Sequence, residues 1–241
     1  MKKKMQMSFR ACQPGARVAR FPLFAAALLL AFSISIPGRA GTFDFSNTSE
    51  IVIQDSTNLP TAAGLYPSTI NVSGLDGQLV SHLSITLNGF SHDFPSDVDI
   101  VLAGPAGQLA MLMGEVGGQD RTPVSNLTLT LDDSAANSLP IDAALSSGVF
   151  KPTRQFPTFN FEFPSPAPAG SANAPASLSV FNGTDPNGAW RLFVVDDSNP
   201  DSGTILSGWS MNLVTAVPEP GTVGLFALAI GIYAAFRYRK S

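Results

Sequence analysis

The sequence has few of the side chains that enzymes and metal centres most often use. It contains one cysteine, Cys12, and two histidines, His82 and His92, in 241 residues. Cys12 lies in the basic N-terminal segment and precedes the apolar run, so it is not a lipoprotein acceptor. The rest of the chain has no thiol, which excludes disulfides, cysteine catalysis and thiolate metal sites there.

Basic side chains are scarce in the middle of the chain. Residues 41–216 hold 17 acids and only four bases, a formal charge of −13; the bases are Arg121, Lys151, Arg154 and Arg191. Contacts to nucleic acid phosphates need clustered lysine and arginine, so nucleic acid binding is disfavoured. A strongly acidic surface favours solubility or the binding of divalent cations.

The N-terminal segment has the three parts of a secretory signal peptide. Residues 1–20 carry six bases and no acid, and the apolar run FPLFAAALLLAFSISI (21–36) follows. The exit sequence PGRAG places small residues at Gly38 and Ala40. We predict a signal peptide at 1–40 that signal peptidase cuts after Ala40; an uncleaved membrane anchor is the alternative.

The chain ends in VPEPGTVGLFALAIGIYAAFRYRKS (217–241). As a helix, its apolar part (221–236) is about 24 Å long, whereas a bilayer core is about 30 Å thick. It therefore spans only if the basic residues Arg237, Arg239 and Lys240 reach back to the cytoplasmic headgroups. Such a segment is a weak tether, and a permanent single-pass anchor is the alternative.

Pro218-Glu219-Pro220, the short apolar segment and the basic end resemble, in this order, the bacterial PEP-CTERM sorting signal. The resemblance implies that an exosortase, a membrane cysteine transpeptidase, removes the tail during export through a Gram-negative envelope. It also implies that the mature protein is then released, or held at the cell surface or in a biofilm or exopolysaccharide matrix.

The region between the two ends has the pattern of an all-β domain. Short runs such as HLSITLNGF, VDIVLAG, NLTLTLDD and WRLFVVDD are separated by turn sequences such as AGPAG, NGTDPNG and DDSNPDSG. No run of ten or more residues has a helical period, so we predict a β-sandwich or barrel. Residues 41–71 form an N-terminal strand and lead-in in this prediction, and 72–216 form the sandwich.

Two segments allow more specific predictions. In WRLFVVD, Trp190, Leu192 and Val194 face one side and Phe193 and Val195 the other, which predicts a central strand covered on both faces. We expect both tryptophans in the core, although sugar binding is the alternative. The proline-rich segment 156–175 cannot be a central strand, so we expect an extended connection over a sheet edge.

HDFPSDVDIVLAGPAG (92–107), LTLDDSA (129–135) and FNG…NGAWRLFVVDD…DSGTILSGWSMNL (181–213) resemble, in this order, the P domain (P/Homo B domain) of proprotein convertases. The resemblance implies a jelly-roll β-sandwich of about eight strands, of the galactose-binding-like kind. It would be flanked by the N-terminal signal helix and the C-terminal membrane helix. Pro95 and Ser96 depart from the pattern, which often has an aliphatic residue and Gly there.

The residues argue against catalysis. P domains usually accompany a subtilisin-like protease, but the mature chain is too short to hold one and has no Gly-Thr-Ser or G-x-S-x-G motif. A serine triad could use only His82 or His92, and His92 matches a pattern histidine whose simplest role is a structural hydrogen bond. The triplet DSG at 201–203 has no partner motif for an aspartic-protease dyad.

Binding of a calcium ion is better supported by the sequence than catalysis. In DDSNPDSG, Asp197, Asn199 and Asp201 occupy alternate positions, as in the D-x-N-x-D opening of many calcium loops, although the EF-hand glycine and glutamate are missing. We predict a calcium site at these three residues and Asp97. Asp97 and Asp99 share a face of one strand start, and Asp132 and Asp133 close another. The alternative is that these side chains cap turns.

These patterns predict an exported, non-enzymatic β-sandwich that is structural or adhesive in the extracellular or exopolysaccharide matrix. The alternative is an accessory P-type domain that assists a separate secreted subtilisin-like protease. The predicted partners are signal peptidase, the exosortase, and an extracellular polysaccharide or secreted protease.

Overall fold

The computed structural model describes residues 41–55, 60–157 and 161–217. The predicted signal peptide, Ala40, the Pro218-Glu219-Pro220 motif and the basic tail all lie outside these ranges. No helix within the described ranges has the length and hydrophobicity that a membrane crossing requires.

One sheet, called sheet A, is organised around the long strand β5. Its strands are β1 (Thr42–Asn47), β2 (Ile51–Ile53), β5 (Leu79–His92), β8 (Val124–Asp132), β9 (Gly148–Phe150), β12 (Gly203–Ile205) and β13 (Trp209–Ala216). On one side of β5, β13 pairs with its first part and β12 with its end; β1 and β2 lie beyond them. On the other side lies β8, which pairs in parallel with β9.

The second sheet, sheet B, is built around three long neighbours. Its strands are β3 (Thr61–Ala62), β4 (Ser68–Val72), β6 (Val98–Ala103), β7 (Leu109–Gly114), β10 (Thr153–Arg154) and β11 (Gly188–Asp196). The order is β10-β7-β6-β11, and β11 then pairs with both β3 and β4. Among the described strand pairs of this sheet, β10 and β7 are parallel and the others are antiparallel.

The strands form because apolar and polar residues alternate along them. In β5, Leu83, Ile85 and Leu87 are buried, while the residues between them are partly exposed. These side chains share one hydrophobic cluster with the inward residues of sheet B, among them Leu102 and Leu192. The chain is therefore mostly β, with two mixed sheets packed over a common core.

The described residues contain 13 strand segments, more than the eight expected. Several have only two or three residues, and two successive strands, β12 and β13, pair with β5 on one side. The segment 41–71 supplies strands to both sheets. The helices in the described ranges are short 3-10 turns, at Pro95–Asp97, Ser171–Asn173 and Leu178–Phe181.

The tryptophans and the central strand are as predicted. Trp190 and Trp209 are fully buried, and their indole N–H groups donate to Pro186 O and Ser68 Oγ, both at 2.9 Å. Strand β11 has partners on both sides, and its outward residues Phe193 and Val195 are covered.

The proline-rich segment differs from the prediction, because it covers the outer face of sheet B. Phe163, Ala172 and Ala174 form a second hydrophobic cluster with outward residues of β6, β7 and β11. The physical reason is that these strands are apolar on both faces, so the outer face also needs a cover.

Candidate metal centre

The strand pairing of sheet B places three acidic residues at one end of the sheet. Strand β6 runs antiparallel to both β7 and β11, so its start lies beside their ends. Asp99 is the second residue of β6 and is in register with Val195 of β11. Glu115 directly follows β7, and Asp197 directly follows β11.

The carboxylates of Asp99, Glu115 and Asp197 converge on one point. Each offers an oxygen, and these oxygens all lie within 4.8 Å of one another. Asp99 is fully buried, whereas Glu115 and Asp197 are partly exposed. An ion that binds oxygen at about 2.4 Å can bridge oxygens about 4.8 Å apart.

The buried carboxylate oxygens at this end of the sheet lack hydrogen-bond donors. Neither oxygen of Asp99 has a hydrogen-bond partner, and Oδ2 of Asp97 has none either. The backbone N–H of Glu115 points toward Asp99 and slightly lowers its pKa, but it does not form a hydrogen bond of normal geometry with either oxygen. Buried charged groups in proteins are normally paired or bound to a metal, so these oxygens require an explanation.

Burial and mutual repulsion raise the pKa values of all four acids. Burial is the larger cause, and it raises the pKa of Asp99 well above its usual value. The pKa of Asp97 rises to about 7, and that of Glu115 to about 8, with a further contribution from neighbouring carboxylates. Burial also raises the pKa of Asp197, and Glu115 donates a hydrogen bond that partly offsets this. A cation at this position would reverse these shifts.

The backbone of Glu115 has an uncommon conformation. Its φ is 55°, in the left-handed region that side chains other than glycine rarely adopt. The residues after it are held by backbone hydrogen bonds from the N–H groups of Gly117 and Gly118 to Pro140 and Ile141. Such strain is often found where a side chain is positioned for function.

The four residues predicted as calcium ligands do not form one group in the structure. Asp197 belongs to the converging group, and Asp97 lies beside it, accepting a hydrogen bond at its backbone oxygen from the Asp197 N–H at 2.9 Å. Asn199 is exposed. Asp201 accepts a 2.7 Å hydrogen bond from Arg121, whose guanidinium also lies 4.8 Å from the centre of the Phe94 ring.

Glu115 was missed by the sequence analysis. It stands alone after the apolar strand LAMLMG (Leu109–Gly114), with no acidic neighbour to suggest a ligand. The only local signal is an acid between a buried strand and the glycine pair Gly117-Gly118.

The two histidines have structural contacts. His92 and Asp196 are fully buried, and Nε2 of His92 lies 3.1 Å from Oδ2 of Asp196. Nδ1 of His92 accepts from the Phe94 N–H at 3.1 Å, so Nε2 carries the proton that Asp196 accepts. His82 is bonded to Asp132 at the surface. Among the described residues, these hydrogen bonds involve no serine hydroxyl, as a triad would need.

Comparison with known proteins identifies the C-terminal segment. Residues 216–240 match the PEP-CTERM protein-sorting motif. No curated protein shows significant similarity to the sequence.

Comparison with solved structures finds weak similarity to two structures of a serine protease. One is the crystal structure of the serine protease of Aeromonas sobria, with 15% identity and a TM-score of 0.35 over 73% of this chain. The other is the complex of an Aeromonas sobria serine protease with its chaperone, with 14% identity and a TM-score of 0.36 over 74% of this chain. The match covers only 26% of the length of either of those chains.

Proposed function

We propose that this protein is an exported, non-enzymatic β-sandwich module that an exosortase-type transpeptidase sorts at a Gram-negative envelope. Its mature form would be structural or adhesive in the extracellular or exopolysaccharide matrix. The observation that carries the proposal is the sorting motif at 216–240, which begins at the last residue of β13 (Trp209–Ala216). The folded unit thus continues directly into the sorting segment.

The start of the folded unit supports processing at the other end. Strand β1 begins at Thr42, and the backbone of Gly41 accepts a 2.8 Å hydrogen bond from the Thr215 N–H. Signal peptidase cleavage after Ala40 would therefore leave the first strand complete. Determination of the N-terminal residue of the exported protein tests this point, and Gly41 is the expected result.

Several titratable side chains make hydrogen bonds that hold the fold together, which supports a non-enzymatic role. His92 connects two buried strands, Arg121 neutralises Asp201, and Asp133 accepts hydrogen bonds from the backbone N–H groups of Leu178 and Ser179. These are structural contacts. The exported protein should show no turnover of peptide or polysaccharide substrates, and measurable hydrolysis would oppose the proposal.

Replacement of the sorting motif tests the sorting proposal directly. The chain with Pro218→Ala, Glu219→Ala and Pro220→Ala is expressed beside the parent in a host that contains an exosortase. The expected result is that the variant stays in the membrane fraction at full length, while the parent appears processed outside the cell. Equal release of both proteins would contradict sorting at this motif. A host without the exosortase provides the control.

The P-domain-like motifs support a second candidate, an accessory jelly-roll domain for a separate secreted subtilisin-like protease. Residues from distant parts of that pattern meet in the structure, since His92 bonds to Asp196. Affinity purification of the exported protein distinguishes the candidates. A stoichiometric protease partner would favour the accessory role, and retention on extracellular polysaccharide without such a partner would favour the matrix role.

A further inference from the structure

We propose that the end of sheet B formed by β6, β7 and β11 binds one calcium ion, coordinated by the carboxylates of Asp99, Glu115 and Asp197. The three oxygens lie within 4.8 Å of one another, close enough for one ion to contact all of them. This inference does not depend on the sorting of the protein or on its role in a matrix.

The side chain of Asp99 gives independent support for a ligand. It has no exposed surface, and neither of its oxygens has a hydrogen-bond partner. A carboxylate that only stabilised the fold would be expected to accept hydrogen bonds from backbone or side-chain donors, as Asp133 does. Asp99 instead faces two other carboxylates, an arrangement that a cation stabilises.

The neighbouring arginines do not balance this negative charge. Arg121 is bound to Asp201 and lies over the Phe94 ring. Arg154 attracts Asp99 electrostatically, but it also donates to the backbone oxygens of Phe156 and Ala174. Arg154 thus offsets part of the charge of Asp99, and the three carboxylates together remain negative when ionised.

The donor set favours calcium among the common divalent ions. All three ligands are carboxylates, which suit hard cations; His92, a residue that transition metals favour, uses both ring nitrogens in hydrogen bonds. Glu115 and Asp197 are partly exposed, which leaves space for water ligands. Calcium accepts such irregular sites with six to eight oxygens, whereas magnesium requires near-octahedral geometry and shorter bonds.

The ion would join three chain segments that are distant in sequence. It would connect the start of β6 to the ends of β7 and β11, and so also to the loop at 197–202. Its expected effect is to hold this end of sheet B together under conditions where the carboxylates are ionised.

Calcium titration of the exported protein tests the proposal. The full chain is expressed with its leader and tail, and the exported form is purified and freed of metal with a chelator. Calcium chloride should then bind with a stoichiometry of one by calorimetry and raise the melting temperature. At about 100-fold excess over the dissociation constant, a shift on the order of 5–10 °C is expected. Magnesium chloride should bind more weakly, and equal binding would overturn the preference for calcium.

Charge-removing variants distinguish the proposed ligands from other acids. Asp99→Asn and Glu115→Gln should weaken calcium binding by about tenfold or more, and the exposed Asp76→Asn should bind as the parent does. Without metal, Asp99→Asn should melt no lower than the parent, because it removes a buried carboxyl group that has no compensating cation in the metal-free fold. A merely structural carboxylate would give the opposite result.

Asn199→Ala tests the alternative ligand set in the loop. It should bind calcium as the parent does, because Asn199 is not one of the three proposed ligands. If Asn199→Ala lost binding while Asp99→Asn and Glu115→Gln kept it, the ion would be held by the loop and the proposal would be wrong. Absence of calcium binding at about 10 mM, above the range of weak extracellular sites, would also overturn it.

Discussion

The imidazole of His92 donates a hydrogen bond from Nε2 to Oδ2 of Asp196 at 3.1 Å, and neither side chain has any exposed surface. His92 is the last residue of β5 in sheet A, and Asp196 is the last residue of β11 in sheet B. The bond therefore connects the two layers of the sandwich. The 3-10 turn Pro95–Asp97 follows His92 closely in the chain and leads into β6, whose second residue is Asp99.

We predict that His92→Leu destabilises the protein strongly. The substitution leaves the buried carboxylate of Asp196 with only the Ser198 N–H as a donor. Loss of a hydrogen-bond donor to a buried carboxylate costs about 3 kcal/mol or more, because the desolvated group is left incompletely paired. Chemical denaturation followed by tryptophan fluorescence measures this effect, since Trp190 and Trp209 are both in the core.

His82→Leu is the matched control for this prediction. His82 also bonds to an aspartate at 3.1 Å, but its side chain is 40% exposed, so a loss of about 1 kcal/mol or less is expected. The double variant His92→Leu with Asp196→Leu should be less destabilised than the sum of its two single variants. Equal losses for His82→Leu and His92→Leu would contradict the structural role of the buried pair.

Phe163→Ala tests whether the proline-rich segment is part of the fold. Phe163 packs on the outer face of sheet B with 7% of its surface exposed, so its loss should cost about 3 kcal/mol. Phe156 lies in the same segment but is 46% exposed, and Phe156→Ala should change stability by about 0.5 kcal/mol at most. Denaturation midpoints check both values. Similar values for the two variants would mean that the segment does not cover the sheet.

The strands and the core could be predicted because their signals are local. The alternation in WRLFVVD correctly predicts a strand covered on both faces, and the same apolar outer face explains why a cover is needed. The path of that cover could not be predicted, because proline restricts backbone conformation without specifying which surface the segment contacts.

The metal-binding candidate depends on pairing between distant strands, which local patterns do not specify. Asp97 and Asp197 were identified because they lie in acidic sequences. Glu115 was not, because its place beside Asp99 follows from the register of β6 and β7, which includes a shift between Ile100 and Val101. A one-residue change in that register would turn the relevant side chains to the other face.

Gly203→Ala tests a close approach between β12 and β5. A Cβ atom at Gly203 would overlap the backbone oxygen of Ser91 and the ring of His92. Because backbone cannot move away easily, we expect a loss of about 3 kcal/mol, at the upper end of overpacking effects. At Gly64, the nearest atom to an added Cβ is the end of the Gln54 side chain at 3.3 Å, so Gly64→Ala should be much milder. Thermal melting of both variants checks this difference, and equal melting temperatures would contradict it.

The acids of the candidate metal centre should make the metal-free protein sensitive to pH. Burial, with added repulsion from neighbouring acids, raises the pKa of Asp97 to about 7 and that of Glu115 to about 8. Arg121 lowers the pKa of Asp97, and Arg154 that of Asp99, without cancelling the rise. Unfolded carboxyl groups titrate near pH 4, so between about pH 4 and 8 the folded protein holds protons that the unfolded chain has released.

The sign of the pH effect follows from this difference. The stabilisation is fully present below about pH 4 and is lost as the pH rises through 7 to 8, so the chelated protein should melt at a lower temperature at about pH 8.5 than at about pH 6. Saturating calcium should reduce or reverse the difference, because it binds the ionised carboxylates. Glu115→Gln should flatten the metal-free profile, and Asp76→Asn should leave it unchanged. Melting curves at constant ionic strength test this prediction. A metal-free melting temperature that stays constant or rises between about pH 6 and 8.5 would contradict the raised pKa values of these acids.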